Sequence, residues 1–390
     1  MTETARERFG GGEPPFRDIM DVRARPPARE SHDGASGWLT PALVYGGAAL
    51  LGAMLYRSRR TAEAERAYPP RGRFIDADGT TLHYVDVGEG QHVVLVHGVG
   101  TTLEDWFISG IVDRLSTQHR VIAVDRPGYG YSGRPGNERW TPERQARSIA
   151  AMMHRLGAQD AIVVAHSYGV LPAIALHLQH EGYVRALVLV AGSYFPGAPV
   201  GETGEFVPSL PIVGPLARLT LAPTLASRAM PGLIDAMFEP QPPTLAFLER
   251  HPFPLVVRPG QLAAAAEDTR GIEHAVRRFA PHYPRIQCRT TVVTGSGDGI
   301  FDPDAQSRRF AAETKQARLI VVPAAGHMVH HSAPDRVATA IRDTARGRPA
   351  TEDAGPPPDL SANVLTDPPP PPAPRQRRAN AGQKEKRSTT

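Results

Sequence analysis

Between residues 72 and 347 the chain alternates between two kinds of hydrophobic pattern. Arg73-Phe74-Ile75-Asp76 and Thr81-Leu82-His83-Tyr84-Val85-Asp86-Val87 alternate with period two around Asp78-Gly79, which predicts a β-hairpin. Apolar runs rich in Val and Ile follow at residues 92–96, 121–124, 161–165, 186–190, 291–294 and 319–322. Their continuous apolarity fits strands covered on both faces, as in a parallel sheet. Helix-length segments lie between them: residues 142–156 carry Ala146, Ile149, Met153 and Leu156 at helical spacing, with Thr141 as N-cap. This alternation predicts an α/β fold whose eight-stranded, mostly parallel sheet begins with an antiparallel pair.

One interval breaks the rhythm. Residues 192–283 contain no strand run and recurrent prolines, which predicts a helical cap inserted over the strand ends, where loops carry function. Its apolar side chains Phe195, Phe206, Met230, Met237, Phe238, Phe247 and Phe253 are candidates to wall a pocket for an apolar small molecule.

The segments outside this domain have other patterns. Residues 1–37 show no hydrophobic period and are expected to be disordered. Residues 38–56, WLTPALVYGGAALLGAMLY, are uncharged and as a helix would reach about 28 Å, so a single transmembrane helix is expected. Arg57, Arg59, Arg60, Arg66 and Arg71 make residues 57–71 a basic linker. They outnumber Arg23, Arg25 and Arg29 upstream, which favours a single-pass membrane protein with its large domain on the cytoplasmic side. Residues 348–390 combine proline runs with Arg375, Arg377, Arg378, Lys384, Lys386 and Arg387, the composition of a disordered tail with weak affinity for an aromatic-lined module or anionic lipid.

Composition narrows the classes. Forty-four Lys and Arg against 40 Asp and Glu give a net charge of +4 over 390 residues, too balanced for a nucleic-acid-binding protein. The lone Cys288 excludes an intramolecular disulfide and any Cys-based metal site, and reads as a small buried residue. The 39 prolines gather in the cap and the tail.

Ala165-His166-Ser167-Tyr168-Gly169 follows an apolar strand and opens a helix, the strand–turn–helix setting of a nucleophile elbow. Such a turn tolerates only small residues two before and two after the nucleophile, and Ala165 and Gly169 satisfy that demand. A serine hydroxyl needs a base to take its proton and a third group to orient that base. His327 and Asp298 lie just beyond the last two strands, so Ser167, Asp298 and His327 form the candidate triad, with Asp302 and Asp304 as rivals for the acid. Val99, after the strand ending at Val96, and Tyr168, after Ser167, supply the backbone N–H groups expected to form an oxyanion hole. His327, His330 and His331 have no carboxylate or cysteine at ligand spacing, so no metal site and no cofactor is expected, and His166 is expected to pack within the elbow.

These motifs, HGVG at 97–100, Trp106, DRPGYGYS at 125–132, AHSYG at 165–169, GSGDGIFDP at 295–303 and AAGHMVHH at 324–331, resemble the α/β-hydrolase fold superfamily over residues 72–347. The resemblance implies a cap after the sixth strand and a loop-stabilising role for Asp125 and Ser132. Ser167 sets the chain apart from branches that use an aspartate nucleophile, such as epoxide hydrolases and haloalkane dehalogenases. The expected function is a membrane-anchored serine hydrolase, of the carboxylesterase or lipase-like kind, that cleaves an ester-like small molecule. Carbon–carbon hydrolase or perhydrolase chemistry on the same fold, and a non-catalytic scaffold recruiting partners through the proline-rich tail, are the alternatives.

Overall fold

A computed structural model describes residues 39–180, 182–197 and 222–347. The segments expected to be disordered, the cap residues 198–221 and Phe206 lie outside the described residues. The chain divides into two units, Met1–Gly52 and Ala53–Thr390, and the site lies in the second.

The elements in chain order are α1 (Leu39–Ala67), β1 (Arg73–Ala77), β2 (Thr80–Val87), β3 (Gln91–Val96), α2 (Glu104–Ile108), α3 (Ile111–Leu115), β4 (His119–Val124), α4 (Pro142–Arg155), β5 (Ala161–His166), α5 (Val170–Gln179) and β6 (Val184–Val190). There follow α6 (Ala222–Phe238), α7 (Leu245–Arg250), α8 (Phe253–Val256), α9 (Pro259–Phe279), β7 (Arg289–Gly295), α10 (Arg309–Glu313), β8 (Ala317–Val322), α11 (Val329–Ser332) and α12 (Pro334–Arg346).

The eight strands form one sheet in the order β1-β2-β4-β3-β5-β6-β7-β8. β1 pairs antiparallel with β2 and β2 with β4, and the remaining pairings are parallel. The central strands are buried on both faces, as their unbroken apolar runs require. On one face Ala146, Ile149 and Met153 of α4 and Leu171 and Ile174 of α5 join the core with Val94, Val163 and Leu187. On the other, Ile111 and Leu115 of α3 and Val337 and Ile341 of α12 pack on Val93, Ile162 and Val188. Thr141 caps α4 by accepting the N–H of Arg144 at 3.3 Å, where the sequence placed it. A wider π-type turn, Asp304–Arg308, leads into α10. Between β6 and β7 the described elements are helical, and α6 and α9 bring Met237 and Asp268 against Met328 and Arg126.

The membrane expectation is corrected. Among the described residues no helix is long and apolar enough to cross a membrane, so residues 38–56 are withdrawn as a span, together with the single-pass localisation and the cytoplasmic orientation. The apolar stretch is diluted by Thr40, Pro41, Gly46, Gly47 and Gly52, and α1 continues unbroken through RSRRTAEAERA. Residues 57–67, expected as a linker, are therefore helical. Ala64 is buried and Glu65 pairs with Arg258 at 2.7 Å, which ties the end of α1 to the cap.

Candidate active site

β5 delivers Ser167 to the carboxyl edge of the sheet, in a turn that holds it at φ +54° in the left-handed region. The geometry survives because neighbouring segments of the chain have room to close in on it. A Cβ on Gly169 would lie 2.6 Å from the His97 carbonyl oxygen, and one on Gly98 would lie 3.0 Å from the Ser167 Cβ. Glycine at these two positions lets the end of β3 sit directly against the elbow.

Ser167, His327 and Asp298, far apart in sequence, come together here. His327 Nε2 is 2.9 Å from Ser167 Oγ, and His327 Nδ1 is 3.0 and 3.2 Å from the Asp298 carboxylate oxygens. All three are at least nine-tenths buried. Asp298 Oδ1 also accepts the N–H groups of Ile300 and Phe301 at 2.9 and 3.0 Å, which fixes the carboxylate in its turn. The rivals are occupied elsewhere: Asp302 accepts the N–H of Ala305 at 2.7 Å, and the exposed Asp304 pairs with Arg308. The histidine loop is held by the cap, since Met328 N–H donates to the carbonyl of Met237 in α6 at 3.1 Å. Phe301 meets the His327 ring edge-on at 5.3 Å.

Tyr168 follows Ser167 directly, and Val99 follows the glycine that abuts it, so the backbone carrying both expected oxyanion donors flanks Ser167. Asp125 and Ser132 hold the loop between them: Asp125 accepts from Leu103 N–H, Tyr131 N–H and the His83 ring, while Ser132 Oγ donates to the Asp125 carbonyl and accepts His83 N–H. Of the cap apolar residues, Phe195 belongs to the main core beside Tyr283. Phe238, Phe247 and Met328 form a separate cluster with Ile108 and Ile234, against which the half-buried Met230, Met237 and Phe253 pack.

Two features escaped the sequence reading. Asp105, from α2, is fully buried and takes His330 Nε2 at 2.8 Å and His331 Nε2 at 2.7 Å, so the carboxylate that seemed missing near these histidines is present. Burial opposes its charge, yet the two imidazoles hold its carboxyl well below the usual range. Ligand atoms of Asp105, His166 and His330 lie within 4.8 Å of one another, while both Asp105 oxygens are already engaged by imidazoles. His166 donates through Nε2 to the carbonyl of His327 at 3.2 Å and is buried within the elbow. The second feature is Arg126, inside the DRPG motif, which is fully buried against Asp268 of α9 at 2.6 Å.

Buried neutral histidines give the protein an acid liability. Burial, aided by Arg126, drops His97 to about 3, and burial drops His251 to about 4. The unfolded chain protonates both below about pH 6.5, whereas the folded chain does not until far lower, so the unfolded state binds more protons in that window. Stability should therefore fall as pH drops from about 6.5 towards 4, by about 1.4 kcal/mol per pH unit for each ring. Urea unfolding at about pH 7.5 and 5 measures this, and a flat profile would contradict it.

Comparison with known proteins agrees with the architecture. The sequence model of the alpha/beta hydrolase fold family matches residues 91–334. A 2-hydroxymuconate semialdehyde hydrolase of Pseudomonas putida is 35% identical over 150 residues, 38% of this chain and 53% of that protein, so the matched stretch spans about half of that relative. Haloalkane dehalogenase 2 of Mycobacterium tuberculosis is 24% identical over 281 residues, covering 70% of this chain and 94% of its own. A thermophilic esterase from Thermogutta terrifontis superposes with a TM-score of 0.57 at 23% identity, over 71% of this chain and 99% of the esterase. The family match takes in the strands from β3 to β8 and Ser167, Asp298 and His327, and the chain belongs to the alpha/beta hydrolase fold family.

Proposed function

We propose that the protein is a serine hydrolase that cleaves an ester-like, fairly apolar small molecule through an acyl-enzyme. The observation that carries this reading is Ser167 Oγ, held in a left-handed elbow 2.9 Å from His327 Nε2. In the first half-reaction Oγ attacks the substrate carbonyl carbon while His327 Nε2 takes the hydroxyl proton. The imidazolium that forms is stabilised through Nδ1–H by Asp298. Negative charge on the carbonyl oxygen is received by the N–H groups of Val99 and Tyr168. Collapse expels the alcohol, which takes the proton from His327. Water, activated by the same histidine, then releases the acid and restores Ser167.

A carbon–carbon hydrolase is the second reading, favoured by the 2-hydroxymuconate semialdehyde hydrolase relative. It places the same serine, histidine and oxyanion donors at a ketone carbonyl with a carbanion as leaving group. Turnover of nitrophenyl esters of graded chain length, set against a vinylogous diketone, separates the two. The ester reading expects higher kcat/KM for an ester, and faster turnover of the diketone would replace it with the second. A fluorophosphonate should label the folded chain, and a chain that stays unlabelled would contradict both.

A further inference from the structure

We propose that Arg126, clamped by Asp268 from the cap, is the residue that positions the oxyanion hole. This inference rests on the serine-hydrolase reading. The guanidinium reaches both halves of the hole. Its Nε donates to the carbonyl of His97 at 2.9 Å and one terminal nitrogen donates to the carbonyl of Gly98 at 3.0 Å. The Gly98 carbonyl and the Val99 N–H belong to one planar trans peptide, so they point in opposite directions. Fixing that oxygen aims that N–H. His97 adds a second hold, since its Nδ1–H donates to the same oxygen at 2.8 Å while its Nε2 accepts Arg126 N–H at 3.0 Å. A cation at the carbonyl end also polarises the peptide, making the N–H a stronger donor.

The other half of the hole is held through Tyr168. Its ring lies 4.6 Å beneath the guanidinium, and its hydroxyl accepts from Gln145 at 3.3 Å. Arg126 is in turn fixed by Gln145 Oε1 at 2.9 Å and Asp268 Oδ2 at 2.6 Å, with no exposure of either charged side chain. Asp268 also accepts from Tyr129, Gln145 and Arg134. Burying an ion pair is a poor way to gain stability, and here its geometry serves direction: a cap helix supplies the charge that orients a backbone donor beside the nucleophile.

The test compares the full chain with Asp268→Asn, Arg126→Lys and Ser167→Ala on a nitrophenyl ester and its thionoester, with thermal unfolding as a check on folding. A thiocarbonyl sulfur accepts hydrogen bonds poorly and gains little from the hole. Asp268→Asn and Arg126→Lys should lower kcat for the oxygen ester about tenfold to a hundredfold, with KM changed less than about twofold. The preference for oxygen ester over thionoester should shrink by a similar factor. A purely structural loss of active protein would scale both substrates equally and leave that preference intact. Gln145→Met, which leaves the ion pair whole, should give the same signature at smaller size. Folded variants that keep full kcat and full oxygen preference, while Ser167→Ala is inactive, would overturn the positioning role alone. Turnover surviving Ser167→Ala would overturn the serine-hydrolase reading beneath it.

Discussion

Ser167→Ala is expected to lower kcat on an ester substrate by about a millionfold and to abolish labelling by a fluorophosphonate. The size follows from how the site divides its labour. Without the hydroxyl there is no covalent intermediate, and His327 has no proton to take. What remains is substrate binding and the oxyanion donors, worth about a thousandfold or more over water. His327→Ala should fall nearly as far, because a serine without its base is a weak nucleophile, and the double variant should be little worse than either single one. This non-additivity is the stronger check. If the two losses multiplied, Ser167 and His327 would be acting independently, and the 2.9 Å contact between them would have no catalytic meaning.

The elements whose periodicity is local could be read from the sequence. β5 and β7 differ from their expected ranges by at most two residues at either end, because buried parallel strands leave unbroken apolar runs. The elbow motif was legible for a related reason: Ala165, Ser167 and Gly169 lie within five consecutive residues, and steric demands on a tight turn act over a few residues. The meeting of Ser167, His327 and Asp298 was legible through their places at strand ends. What could not be read lies in contacts between distant residues. Asp105 meets His330 and His331 across 225 and 226 positions, and Arg126 meets Asp268 across 142, with no periodic signal marking either pair. The DRPGYGYS motif marks Asp125 and Ser132, while the arginine between strand and turn joins the cap to the loop after β3. The error over residues 38–56 has another origin. Absence of charge and a helical length of about 28 Å point to a span, yet proline and glycines lower the apolar density, and the helix carries on into a charged segment.

Asp298→Asn should lower kcat about ten-thousandfold while leaving KM and the fold largely unchanged. The amide matches the carboxylate in shape, and its oxygen can still accept the N–H groups of Ile300 and Phe301. Its NH₂ group then faces His327 Nδ1, which must become an acceptor. The ring's proton moves to Nε2, where it points at Ser167 and removes the base that the attack requires. Loss of the carboxylate also removes the charge that stabilises the imidazolium. Asp302→Asn is the matched control: its carboxylate only caps the turn at Ala305, so kcat should change by less than about threefold. Measuring kcat for both variants against rising pH distinguishes a tautomer defect from a displaced loop. A tautomer defect should be partly relieved at high pH, where hydroxide substitutes for the missing base, whereas a displaced loop should depress activity evenly at every pH. Equal losses in the two variants would mean that the acid of the triad has been assigned to the wrong aspartate.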